Sequence, residues 1–169
     1  GATAALLLGQ FVGQRSGSIM VISESMQSRD SLERRLGFDD EINLNFPHLR
    51  ALPSLETYGN DVRAEEIIAA SLNSNPDTVG IYVVTTEART PLTIIEALEI
   101  DPMIIKIAHE RTPFTVNALR KKALNGIIAQ DAGHLVRSAI RRLKGKVDKR
   151  QTLGSQENIR IDILLRTNV

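Results

Sequence analysis

Residues 79 to 84 read Val-Gly-Ile-Tyr-Val-Val, six positions without a charged, amide or hydroxyl-aliphatic side chain. A run this short, rich in β-branched residues and flanked by polar segments, is a strand rather than a helix. A strand with no polar face must be covered on both sides, which places it inside a sheet with layers above and below. Residues 127 to 129 repeat the pattern, residues 103 to 108 do so apart from Lys106, and helical periodicity fills the gaps between these runs. Alternation of buried strands with helices predicts the α/β class: a doubly wound, mostly parallel sheet flanked by helices.

The remaining elements follow from local chemistry. Residues 2 to 12, rich in Ala and Leu, predict a helix closed by Gly13. Residues 17 to 23 are a strand. Residues 29 to 45 are a long helix in which Leu32, Leu36, Ile42 and Phe46 recur near helical spacing, with Pro47 as its stop. Residues 49 to 57 form a weak strand broken by Pro53, hence an edge. Helices follow at 61 to 72, with Asp61 as cap, and at 91 to 99, with Thr90 as cap. Thr112-Pro113 opens a helix to about Ala123, and the last helix occupies 131 to 144. Lys144 to Asn158 reads as a polar loop, and 159 to 165 as a final alternating strand.

Charge and composition exclude more than they identify. A formal net charge of +1 gives no global field toward nucleic acid or membrane. The absence of cysteine removes disulfides and thiolate metal sites and fits a reducing, cytoplasmic setting. No apolar run reaches the length of a membrane span. No glycine-rich phosphate loop or nucleophile elbow is present, and His48, His109 and His134 lack metal-ligand spacing. No cofactor, metal or catalytic residue is therefore expected, and the chain is not read as an enzyme. His109-Glu110 is the one adjacent acid/base pair, but neighbours on an extended chain point apart. The Arg34-Arg35 and Arg141-Arg142 pairs read as solvated helix faces.

In a doubly wound sheet the residues just past each strand share one rim, where ligands bind. Here the rim collects Ser23-Glu24-Ser25-Met26, Thr85-Thr86-Glu87-Ala88-Arg89, His109-Glu110-Arg111 and Gln130-Asp131. Glu, Gln and Arg have planar ends that address two neighbouring oxygens at once, which suits a ligand with many hydroxyls.

The stretches "GATAALLLGQFVGQRSGSIMVIS", "SRDSLERRLGFDDEI", "NPDTVGIYVV", "IIKIAHERTPFTVNALRKKALNGIIAQD" and "QENIRIDILLRTNV", in this order and spacing, resemble the effector-binding core of the LacI/GalR family of bacterial transcription regulators. That core is itself similar to periplasmic sugar-binding proteins. The resemblance implies one lobe of a type I periplasmic-binding-protein-like fold, closing on a sugar or sugar-like effector. It implies ligand contacts from Arg34, ahead of Gly37-Phe38, from Glu110, from Gln130, and from a polar residue near Thr86 or Glu87, where the sequence departs from the usual Asn and Gly.

On this reading residues 1 to 130 are the C-terminal lobe, 131 to 156 a crossover helix and loop that pack with an N-terminal lobe, and 157 to 169 a returning strand. The chain starts in helix without an initiator Met, as expected for a piece of a longer polypeptide. The resemblance further implies a homodimer that meets operator DNA through a headpiece outside this sequence, with a solute-binding protein of a sugar transporter as the alternative. Helix 131 to 144 carries a stripe of Leu135, Val136, Ala139, Ile140 and Leu143, wide enough to require a partner.

Overall fold

The computed structural model describes residues 1–149 and 160–169. Its framework is a seven-stranded sheet of β1 (Gly17–Ser23), β2 (Leu49–Ala51), β3 (Leu55–Glu56), β4 (Thr78–Val83), β5 (Ile105–His109), β6 (Gly126–Gln130) and β7 (Ile161–Leu164). The spatial order is β2-β1-β4-β5-β6-β7, with β3 also pairing β1. Every pair is parallel except β6 with β7. The expected doubly wound, mostly parallel α/β architecture is thus the one observed. The edge segment around Pro53 splits into β2 and β3, which pair with opposite ends of β1, because a residue without an N–H interrupts the ladder.

Side chains alternate across the sheet. On one face Ile19, Val21, Tyr82, Val84, Ile107 and Ile128 pack under α1 (Ala2–Val12) and α2 (Arg29–Asn45). On the other face Met20, Ile22, Ile81, Val83, Ala108 and Ile127 pack under α3 (Asp61–Ser74), α4 (Arg89–Ala97) and α5 (Pro113–Arg120). Helix α1 lies close to the strands because β4 has Gly80 there. A Cβ at Gly80 would stand 2.8 Å from Leu8 Cδ2.

Several local expectations shift. Helix α2 turns Arg34, Phe38 and Ile42 inward, while Leu32 and Leu36 are exposed, so the inward stripe runs two residues away from the leucines. Asn60, not Asp61, caps α3, its side chain accepting from Arg63 N–H. Helix α4 starts at Arg89 with Ala88 as its cap, and Thr90 donates instead to Asp61. Met103 lies outside β5 and is exposed. Thr112 does open α5, through a reciprocal capping box with Thr115. Neither Arg34 nor Arg35 is a solvated side chain. Arg34 is buried, and Arg35 holds Asp39, the Leu52 carbonyl and Ser54.

The last helix, α6 (Ala132–Val147), outruns its expected end at 144. The rest of the expected loop, from 150 to 158, lies outside the described residues, as does the start of the expected final strand. Strand β7 pairs antiparallel to β6 and leaves Ile161 and Ile163 exposed. Among the described residues no helix is long and apolar enough to cross a membrane.

Candidate functional site

The chain moves outward from β1 to β2 and β3, then returns through α3 to β4 on the other side of β1. That reversal makes the carboxyl ends of β1 and β4 the switch point of the sheet, where open α/β folds bind ligands. Two cavities of about 230 and 290 Å³ open there, sharing Glu24 and Thr85 in their walls. Glu87 and Asn60 line the first, and Asp30, Ser28 and Thr86 the second.

Beside these cavities a chain of hydrogen bonds runs across the rim. Arg34 is 8% exposed, held inside by α2. Its Nη1 donates to the Val84 carbonyl just past β4 at 2.9 Å. Its Nη2 lies 3.0 Å from Glu110 Oε1 and 3.1 Å from Asp30 Oδ2. The other Glu110 oxygen, Oε2, accepts from the Gln130 backbone N–H at 2.9 Å. One arginine therefore ties α2, the end of β4 and the residue after β5, and one carboxylate extends the tie to the end of β6. The planar fork of Arg and both oxygens of Glu are used, which fixes their orientation before any ligand arrives.

Beneath Glu110 sits His109, 4% exposed. Its Nε2 pairs with the Tyr82 hydroxyl at 3.0 Å, and its Nδ1 lies 3.8 Å from Glu110 Oε1, too far for a hydrogen bond. The two neighbours approach rather than diverge because Glu110 stands past the last residue of β5, where the strict alternation of a strand has ended. Burial pushes His109 below its ordinary value and keeps the imidazole neutral at neutral pH. Burial also opposes ionisation of Glu110, but the Gln130 N–H and the Arg34 guanidinium favour the carboxylate, and the carboxyl ends below its usual range. Burial raises the Tyr82 phenol well above its ordinary value, so it stays protonated and serves as a hydrogen-bonding group.

Of the residues expected at the site, Arg34, Glu110 and Gln130 meet in one network, and Glu87 does not join it. Glu87 is exposed, and its Oε1 accepts from the Arg89 N–H at the start of α4 while its side chain borders the adjacent cavity. Sequence reading missed Asp30, the second carboxylate on Arg34. Its signal was present as an Asp four residues before an Arg on one helix. Thr85, placed on the rim but not among the expected ligand contacts, is 8% exposed and lines both cavities.

Chemically the rim offers oriented carboxylate, amide and hydroxyl groups. Among the described residues no group of His, Cys, Asp and Glu is arranged to hold a metal.

Residues 1–151 match the family described as periplasmic binding protein domain. A glucose-galactose binding protein from Geobacillus stearothermophilus superposes with a TM-score of 0.81 at 16% identity, over 99% of this chain and 61% of its own. A carbohydrate transporter solute-binding protein from Agrobacterium radiobacter, solved with D-arabinose, gives 0.82 at 18% identity, over 99% and 58%. A periplasmic solute-binding protein from Actinobacillus succinogenes, solved with D-allose, gives 0.80 at 17% identity, over 99% and 58%. These likenesses show the fold, and the chain spans about three-fifths of the length of those proteins. No curated relative matches it.

Proposed function

The chain belongs to the periplasmic binding protein domain family, and on that premise we propose that it supplies one wall of a cleft for a small polyhydroxylated ligand, a sugar or close derivative. The observation that carries this reading is the network of Arg34, Glu110 and the Gln130 backbone at the carboxyl rim. A carboxylate whose orientation is fixed in advance accepts ligand hydroxyls without first losing side-chain freedom. The D-arabinose and D-allose held by two structural neighbours support the ligand class. We read the chain as a binding module and not as a catalyst.

Both sugar-transporter solute-binding proteins and LacI-type regulators share this family. The resemblance in sequence put the regulator first. The structural neighbours are binding proteins of transporters, so the transport reading is now the better supported. Operator DNA and a homodimer gain no support from them. In either case our reading takes residues 1–130 with β7 as one lobe and α6 as the start of a crossing to a second. Location follows the choice: export for a transporter component, the cytoplasm for a regulator.

The test is a titration of D-arabinose and D-allose into the protein, followed by backbone amide NMR. Saturable shifts at Thr85, Glu110 and Gln130 are expected at millimolar sugar, weak because one wall cannot enclose a ligand. Shifts absent from the rim for every aldose tried would remove the sugar-binding reading.

A further inference from the structure

A third cavity, of about 270 Å³, lies at the other end of the sheet, beside the start of β5. The apolar half of its lining is Leu92 and Ile95 from α4, Ile100 and Pro102 from the connection to β5, and Ala123. Into this lining β5 turns Lys106, which is 8% exposed. Its Nζ donates to the Ile104 carbonyl at 3.1 Å, and among the described residues it makes no ion pair. Glu96 and Glu99 border the same cavity, and Lys121 and Lys122 stand on its α5 side. An ammonium in an apolar wall with one carbonyl for company is costly, and a norleucine-like side chain such as Met would fill the same space without that cost. Burial lowers the Lys106 pKa, and the Asp101 carboxylate, which forms no ion pair with it, offsets this only in part.

We propose that this cavity binds a monoanionic amphiphile, a carboxylate on a short apolar chain, with Lys106 as its counter-ion. The apolar part would lie against Leu92, Ile95 and Ile100, and the carboxylate would meet the Lys106 ammonium. One buried ammonium neutralises one negative charge. A dianion such as a phosphate monoester would carry its second charge toward Glu96 and Glu99, which disfavours it. The site is separate from the sugar rim and does not rest on the sugar-binding reading, because it lies at the amino end of the strands.

Hexanoate is the probe, with the neutral hexanamide as its isostere, followed by methyl and lysine side-chain NMR on the whole chain. Hexanoate should give saturable shifts at the Ile95 and Ile100 methyls and at Lys106, and should raise the Lys106 pKa. Hexanamide should bind at least tenfold more weakly. Lys106→Met, which keeps the packing, should lose hexanoate binding by at least tenfold, whereas Lys121→Ala with Lys122→Ala should change it less than threefold. Equal binding of acid and amide, no saturable shifts at this cavity, or full binding by Lys106→Met would overturn the proposal. So would loss of binding in the Lys121/Lys122 double variant with Lys106 intact.

Discussion

Helices α1 and α6 both carry apolar stripes, yet α1 buries Ala4, Ala5, Leu8 and Val12, whereas α6 leaves Leu135, Val136, Ile140 and Leu143 exposed. The difference lies in what each helix is given to pack on. Small residues at positions 4, 5 and 9 of α1, and Gly80 beneath it, let that helix settle between α2 and the strands. Helix α6 leaves the sheet at the carboxyl rim, right after Gln130, and buries only Ser138 and Gly145 along its length. It is also basic, with Arg137, Arg141, Arg142, Lys144 and Lys146 and no acidic residue between Ala132 and Val147. Amphipathic spacing states that a helix has a partner, but the position of the partner is set by the topology. For α1 it is in the described structure, whereas among the described residues nothing covers the α6 stripe.

The largest effect is expected inside α1. Leu8 is fully buried against β4, and the facing Gly80 has no side chain to fill a gap. Leu8→Ala should therefore cost about 2–5 kcal/mol, the range for cavity-forming core substitutions. Urea unfolding would measure it, and a loss below about 1 kcal/mol would mean that α1 is no better packed than α6.

A second effect, smaller, separates the rim from both helices. His109 is held neutral in the folded chain, whereas the unfolded chain takes up a proton below the ordinary value of 6.5. Its contribution should be complete above that value and fall as pH drops below it. Glu110 has a folded pKa under its ordinary 4.5, so its contribution is present above 4.5 and is lost as pH falls through the folded value. Thermal melts from neutral pH downward should thus decline in two stages, and Glu110→Gln should remove the lower stage and keep the upper. A melting temperature that rises on acidification from neutral to below 6.5 would contradict the burial of a neutral His109.

How much of this was legible beforehand depends on which force set each feature. The sheet was readable because apolar runs such as 79 to 84 have one stable placement, between two layers. The inward face of α2 was not. An arginine occupies a core position there, compensated by Val84, Asp30 and Glu110, and hydrophobic spacing has no symbol for a charge whose partners come from other elements. Rim membership of Glu110 and Gln130 followed from strand ends alone. That Gln130 enters the network through its backbone N–H while its residue stays exposed could not follow, since that depends on how β5 and β6 are staggered. The cap slipped by one residue at α3, where Asn60 and Asp61 compete for the same amides, and by two at α4, where Ala88 caps without a side-chain hydrogen bond.

The smallest expected effect is on α6. Ile140 is 59% exposed, so little apolar area is removed from water when it folds. Ile and Ser have nearly equal helix propensity, so Ile140→Ser leaves the helix itself almost unchanged. The substitution should shift stability by no more than about 0.5 kcal/mol, as for an exposed site without special contacts. Leu143→Ser, at 65% exposure, loses more helix propensity, but its added cost stays within a few tenths of a kcal/mol on the same scale. The outcome that would sink this is a loss of about 1.5 kcal/mol or more, the cost of exposing a side chain that was covered. Such a loss, together with a wild-type melting temperature that rises with protein concentration, would mean that the stripe is covered by a second copy in solution. The same loss without concentration dependence would place the cover within the chain itself.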